Sequence, residues 1–134
     1  MRRLILPALV FALGLPDAVR AQSPVYVVTH IDIAPSFPAN ATQAQMDQAR
    51  VEAGDKTNVL LREMAAGCTP AAGCSRFEVL QQTGAANHFT VLQIWKDADA
   101  LAVFEASPRV KSVRERLGPS LGSPFDERLH ILAK

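Results

Sequence analysis

His30 stands inside a β-branched run, Val25-Tyr26-Val27-Val28-Thr29-His30-Ile31-Asp32-Ile33. Histidine is the side chain whose ordinary pKa lies where a general base must work at neutral pH. That makes His30 the candidate catalytic base, against the plainer alternative of a strand histidine satisfied by Asp32 or by a backbone group. Asn87 can shape a turn or point an amide at a substrate oxygen. Gln93 can hydrogen-bond but takes no proton at neutral pH. The one tryptophan, Trp95, buries a large area wherever it packs.

Other chemistries are absent from the sequence. It contains no glycine-rich phosphate loop, no G-x-S-x-G elbow and no paired-histidine zinc helix. His30-Ile31-Asp32 offers too few ligands for a metal. Cys68 and Cys74 flank Thr69-Pro70-Ala71-Ala72-Gly73, and without a nearby histidine they make no zinc site. In an oxidising compartment the same spacing favours a loop-closing disulfide.

Holding these side chains in place requires an α+β fold. In the run around His30 the odd positions are mainly Val and Ile, and the even set is Tyr26, Val28, His30 and Asp32. That is a strand with one dry face and one mixed face. Between Thr42 and Ala66, Met46, Ala49, Ala53, Thr57, Leu60 and Met64 recur at helical spacing, with Asn40 or Thr42 as cap and Gly54-Asp55 as a point where the helix could break. Ser75–Thr83 and His88–Trp95 read as a hairpin whose turn holds Gly84 and Asn87. Asp97 caps a helix carrying Leu101 and Phe104. Ser107-Pro108 starts another, with Val110, Val113 and Leu117 on one face. Phe125–Leu132 is the last strand, where Asp126 and Arg128 form an ion pair. The order is β-α-β-β-α-β, the ferredoxin-like arrangement. The third strand is apolar on both faces, with Phe89, Val91 and Trp95 on one and Leu92 and Ile94 on the other. A sheet covered on one side leaves that second face unburied, which predicts a sheet-to-sheet homodimer.

The N-terminus has the parts of an export signal: Arg2 and Arg3, an apolar run from Leu4 to Leu15, and Val19-Arg20-Ala21 before a cleavage point. The run is too short for a membrane span. Residues 1–21 are therefore expected to be a removed signal, and 22–134 a single exported domain, periplasmic or secreted, with no membrane attachment after cleavage. The chain carries 14 Lys+Arg and 13 Asp+Glu. Loss of Arg2, Arg3, Arg20 and Asp17 leaves 11 basic and 12 acidic residues. No basic stripe remains for a nucleic-acid partner.

In that order, Val25-Tyr26-Val27-Val28-Thr29-His30, Arg76-Phe77-Glu78-Val79-Leu80-Gln81, Asn87-His88-Phe89-Thr90-Val91-Leu92 with Trp95-Lys96-Asp97, and Gly122-Ser123-Pro124-Phe125-Asp126-Glu127-Arg128 resemble the antibiotic biosynthesis monooxygenase family. The resemblance spans about Val25 to Leu132. It implies a dimeric α+β barrel with a pocket between sheet and helices. It also implies oxidation of a small phenolic or quinol substrate by molecular oxygen with no bound cofactor, and a place for Trp95 beside the pocket. The chain departs from the family at three polar positions. Gln93 stands where a glutamate is common, and Phe104 and Arg109 stand where histidines are common. The expected substrate-binding set is thus Trp95, Asn87, Gln93 and Phe104. Residues 97–129 contain no histidine, so no axial haem ligand is expected there. Outside the cytoplasm a nicotinamide reductant is not expected, whereas a substrate that supplies its own electrons removes that need. The alternative reading is a non-catalytic dimeric small-molecule-binding protein of the same fold.

Overall fold

The computed structural model describes residues 23–133, so the expected signal lies outside the described residues. Strand β1 is Val25–Asp32, helix α1 is Gln43–Ala65, and β2 and β3 are Cys74–Gln82 and Ala85–Trp95. Helices α2, Ala98–Glu105, and α3, Pro108–Leu117, follow, and β4 is Asp126–His130. The strands form one sheet in the order β2-β3-β1-β4 with every pairing antiparallel. This is the ferredoxin-like α+β arrangement, its second helical segment divided in two at Ser107-Pro108.

Local chemistry sets the helix ends. The Thr42 hydroxyl accepts from the Gln45 amide, and the Gln45 side chain accepts from the Thr42 amide, a capping box. Asp97 caps α2 through the Ala100 amide at 2.8 Å. Ser107 caps α3 with Pro108 in its first turn.

The helix does not break at Gly54. Helix α1 runs through it, and Gly54 is buried where the helix crosses the β3 backbone. A Cβ there would lie 2.2 Å from the Ala86 carbonyl oxygen. The glycine permits close packing and does not end the helix. The buried stripe of α1 is Gly54, Thr57, Leu61 and Met64, so Leu61 takes the deep position expected of Leu60.

The hairpin turn is tighter than the sequence suggests. Gly84, at φ 80°, makes it, and β3 begins at Ala85. Asn87 is therefore a strand residue. It accepts from the Ile33 amide through its backbone carbonyl at 2.9 Å and donates from Nδ2 to the Ile33 carbonyl at 2.7 Å.

Residues opposite each other in an antiparallel ladder point to the same side. The register places Val27, Thr29 and Ile31 with Gln93, Val91 and Phe89 on the helix side, and all six are buried. The other side carries Tyr26, Val28, His30 and Asp32 with Ile94, Leu92, Thr90 and His88. Asp126, Arg128 and His130 join it from β4. All three histidines thus share the open face of the sheet. The Cys68 and Cys74 sulfurs are bonded, with Cα atoms 5.0 Å apart, tying the end of α1 to the start of β2.

Candidate active site between the sheet and the helices

Trp95 and Gln93 are two residues apart on one strand, so both face the helices. Trp95 is fully buried and Gln93 is 4% exposed. The indole Nε1 donates to Gln93 Oε1 at 3.0 Å. Indole nitrogen can only donate, so this bond fixes which end of the Gln93 amide is oxygen. Gln93 lines the cavity wall, and its amide nitrogen makes no hydrogen bond among the described residues. Phe104 on α2 lies over Trp95, ring centroids 4.6 Å apart, and meets Phe77 edge-on at 6.1 Å.

Around Gln93 the cavity is walled by Thr29, Ile31 and Val91 from the sheet, Leu61 and Met64 from α1, and Phe104 from α2. Its volume is ≈ 10 Å³, room for about one water. A ring-sized ligand would fit only if side chains at the rim moved. That rim is polar: Glu105 at the end of α2, Arg114 on α3 and Glu127 on β4, with Phe125 beside them. Arg114 Nη2 donates to Glu127 Oε2 at 2.8 Å, and Thr29 Oγ1 donates to the same oxygen at 3.3 Å. The Arg114 guanidinium also sits 5.2 Å from the centre of the Phe125 ring, a cation–π contact. Burial holds the Glu105 carboxyl above the ordinary carboxylate value. The neighbouring Glu127 charge and a hydrogen bond to Glu127 act the same way, while Arg114 acts in the opposite sense.

The expected site residues do not all meet. Gln93 and Phe104 line the cavity, and Trp95 supports both from beneath. His30 is on the opposite face of the sheet, exposed, with Nδ1 3.1 Å from Thr90 Oγ1. Its expected partner Asp32 is instead 2.6 Å from His88 Nδ1 and 3.1 Å from the Ser123 hydroxyl. Asn87 has its amide on the Ile33 carbonyl. Arg109 donates to the Glu63 carbonyl at 3.2 Å on the exposed side of α3. Asp126 and Arg128 form the expected ion pair, two bonds of 2.8 and 2.9 Å.

Sequence reasoning missed Glu105, Arg114, Glu127 and Thr29. Two of them carried a signal. Thr29 is a polar residue in the dry row of β1, and Glu105 follows Leu101 by four, on the apolar face of its helix.

A wider groove of ≈ 1000 Å³ runs past the disulfide, bordered by Tyr26, Arg76, Phe77, Trp95 and Lys96. It is open to solvent, and among the described residues no carboxylate or histidine borders it. Among the described residues no group of three or more His, Cys, Asp or Glu is placed to hold a metal ion, and no helix is long and apolar enough to cross a membrane.

The family model for antibiotic biosynthesis monooxygenases matches residues 42–116, from the cap of α1 almost to the end of α3. The chain belongs to that family. No curated protein sequence matches it significantly. Solved structures with the same fold include Rv0793 from Mycobacterium tuberculosis, 17% identical, with a TM-score of 0.64 over 84% of this chain and 97% of that one. Another is a point mutant of SnoaB from Streptomyces nogalater, a cofactor-independent oxygenase. It is 14% identical, with a TM-score of 0.62 over 84% of this chain and 95% of its own. A conserved protein from Methanosarcina mazei Go1 is 16% identical with a TM-score of 0.61, over 87% and 99% of the two chains. At these identities the likeness is one of fold.

Proposed function

We propose that the mature protein is an exported, cofactor-independent monooxygenase that oxidises a small phenolic or quinol substrate with molecular oxygen in the cavity between sheet and helices. Membership of the monooxygenase family supports the reaction class, and SnoaB is a cofactor-independent oxygenase on the same fold. The observation that carries the reading is the buried Gln93 amide. Trp95 fixes its orientation, and its donor nitrogen is left for a ligand oxygen. A phenol that loses its proton there becomes a phenolate, electron-rich enough to reduce oxygen. A donor aimed at that oxygen in a dry site stabilises the charge as it forms. Oxygenation at a ring C–H, giving a quinone and water, needs no electrons beyond those of the substrate. Phe104 supplies aromatic surface for the ring, with Trp95 packed behind it.

The open face of the sheet is proposed as the homodimer interface. Val28, Leu92 and Ile94 lie half-buried on it and Leu80 is 51% exposed. The Cys68–Cys74 bridge agrees with an oxidising compartment.

A second reading is a binding protein that has lost its chemistry. It is favoured by the helix-side cavity, which among the described residues has no histidine on its wall. Oxygen-electrode measurements on the purified mature chain over a panel of hydroquinones and naphthols separate the two. The oxygenase reading predicts substrate-dependent uptake whose kcat falls about 100- to 1000-fold in Gln93→Leu, the effect of losing one preorganised donor. Tight ligand binding with no uptake supports the binding protein.

A further inference from the structure

A cofactor-free oxygenation needs a group to take the phenolic proton, and His30 is on the wrong side of the sheet for this cavity. We infer that Glu105 is that proton acceptor, with Glu127, Arg114 and Thr29 as its positioning residues. This inference rests on the oxygenase reading of the same cavity.

The two carboxyls reach the cavity rim from different elements, α2 and β4, beside the Gln93 amide that faces the same space. Their surroundings differ. Glu127 is held at one oxygen by Arg114 and Thr29. Among the described residues Glu105 has no cationic partner within bonding distance. Instead it borders apolar wall and a neighbouring negative charge, so its basicity rises. The charged groups facing it are Glu127 from β4 and Arg114 from α3, and the β1 residues lining the same cavity, Thr29 and Ile31, are neutral.

A phenol seated against Gln93 gives its proton to the Glu105 carboxylate. The products are a phenolate, hydrogen-bonded by the amide, and a neutral Glu105 carboxyl that donates to Glu127. The electron pair of the O–H bond stays on the phenolate. Dioxygen then takes electrons from the phenolate and forms a C–O bond at a ring carbon. As the O–O bond breaks, the ring C–H proton and the proton on Glu105 leave with the outer oxygen as water, the ring is left as the quinone, and the carboxylate is restored.

Two readouts on folded variants test this. The first is binding of 4-nitrophenol, whose phenolate absorbs visible light. The wild type is expected to bind it less fully ionised than Glu105→Gln does at the same pH, because a carboxylate beside the phenol oxygen raises the phenol's pKa as Glu127 raises that of Glu105. The second is the pH profile of oxygen uptake, expected to rise through an ionisation above the ordinary carboxylate range. Glu127→Gln removes a neighbouring charge and moves that rise to lower pH. Arg114→Gln removes an opposing charge and moves it to higher pH. These opposite shifts are not expected of a purely structural defect. Glu105→Gln is expected to lower kcat/KM about 100- to 10,000-fold, the range of general-base help. Uptake without a Glu105 effect, or a pH rise abolished by His30→Ala and kept in Glu105→Gln, overturns the inference and leaves the oxygenase reading standing. Ionisation of bound nitrophenol that depends on Glu105, with no oxygen uptake over the substrate panel, overturns the oxygenase reading and with it the proton-acceptor role of Glu105. Equal ionisation in wild type and Glu105→Gln overturns the inference whether or not oxygen is consumed.

Discussion

Gln93 and Glu105 are the residues where packing and chemistry meet. At position 93, buried as deeply as it is, a glutamate would have its charged form penalised. Glutamine stays neutral, satisfies the indole N–H and keeps a donor for the ligand. Glu105 is the opposite case. Its carboxyl is raised above its unfolded value by burial and by Glu127, so the folded protein holds this proton to higher pH than the unfolded chain does. Stability therefore falls as pH rises from the ordinary carboxylate range through the folded-state ionisation. Glu105→Gln should accordingly raise the melting temperature by a few degrees at neutral pH. The gain should disappear in acid, where wild-type Glu105 is protonated in both states. Differential scanning calorimetry at the two pH values checks the sign. A functional group that costs stability is what a working acid–base residue leads one to expect.

Among the elements, the helix caps at Thr42, Asp97 and Ser107 were legible because capping is local chemistry. The strands were legible because alternation of dry and mixed positions records the faces of a sheet. His30, in the even set of β1, was therefore already placed on the mixed face. What the sequence does not carry is which mixed or dry face adjoins a cavity, since that depends on how α1, α2 and α3 seat on the sheet. Arg114 and Glu127 are thirteen residues apart, on a helix and a strand separated by a loop, and no local pattern joins them. Gly54 shows the same limit. Local propensity reads it as a break, and tertiary packing makes it a contact point. Gly54→Ala should therefore destabilise the fold by about 1–3 kcal/mol, the usual range for overpacking. Helix propensity alone predicts the reverse sign, so chemical denaturation of the variant decides between them.

At the scale of the molecule, the sheet has one face sealed by helices and one face that is half apolar and holds every histidine of the chain. Tyr26, Val28, Leu92 and Ile94 are each partly exposed there. A second copy of the same face would bury them and would surround the Asp126–Arg128 and Asp32–His88 pairs with protein. Light scattering at micromolar concentration should give the mass of two chains, and Val28→Lys with Leu92→Lys should give one. A wild-type monomer removes the dimer from the account and leaves the cavity untouched. The central claim, oxidation by a bound phenol's own electrons in that cavity, is tested most directly by isotopically labelled dioxygen. The folded mature protein, treated with chelator, is given a hydroquinone or naphthol that it binds. The account predicts oxygen consumption with one labelled atom in the organic product and the other in water, and loss of both in Gln93→Leu. Ligand bound by folded protein with no label incorporated, or the same incorporation in Gln93→Leu, would contradict it.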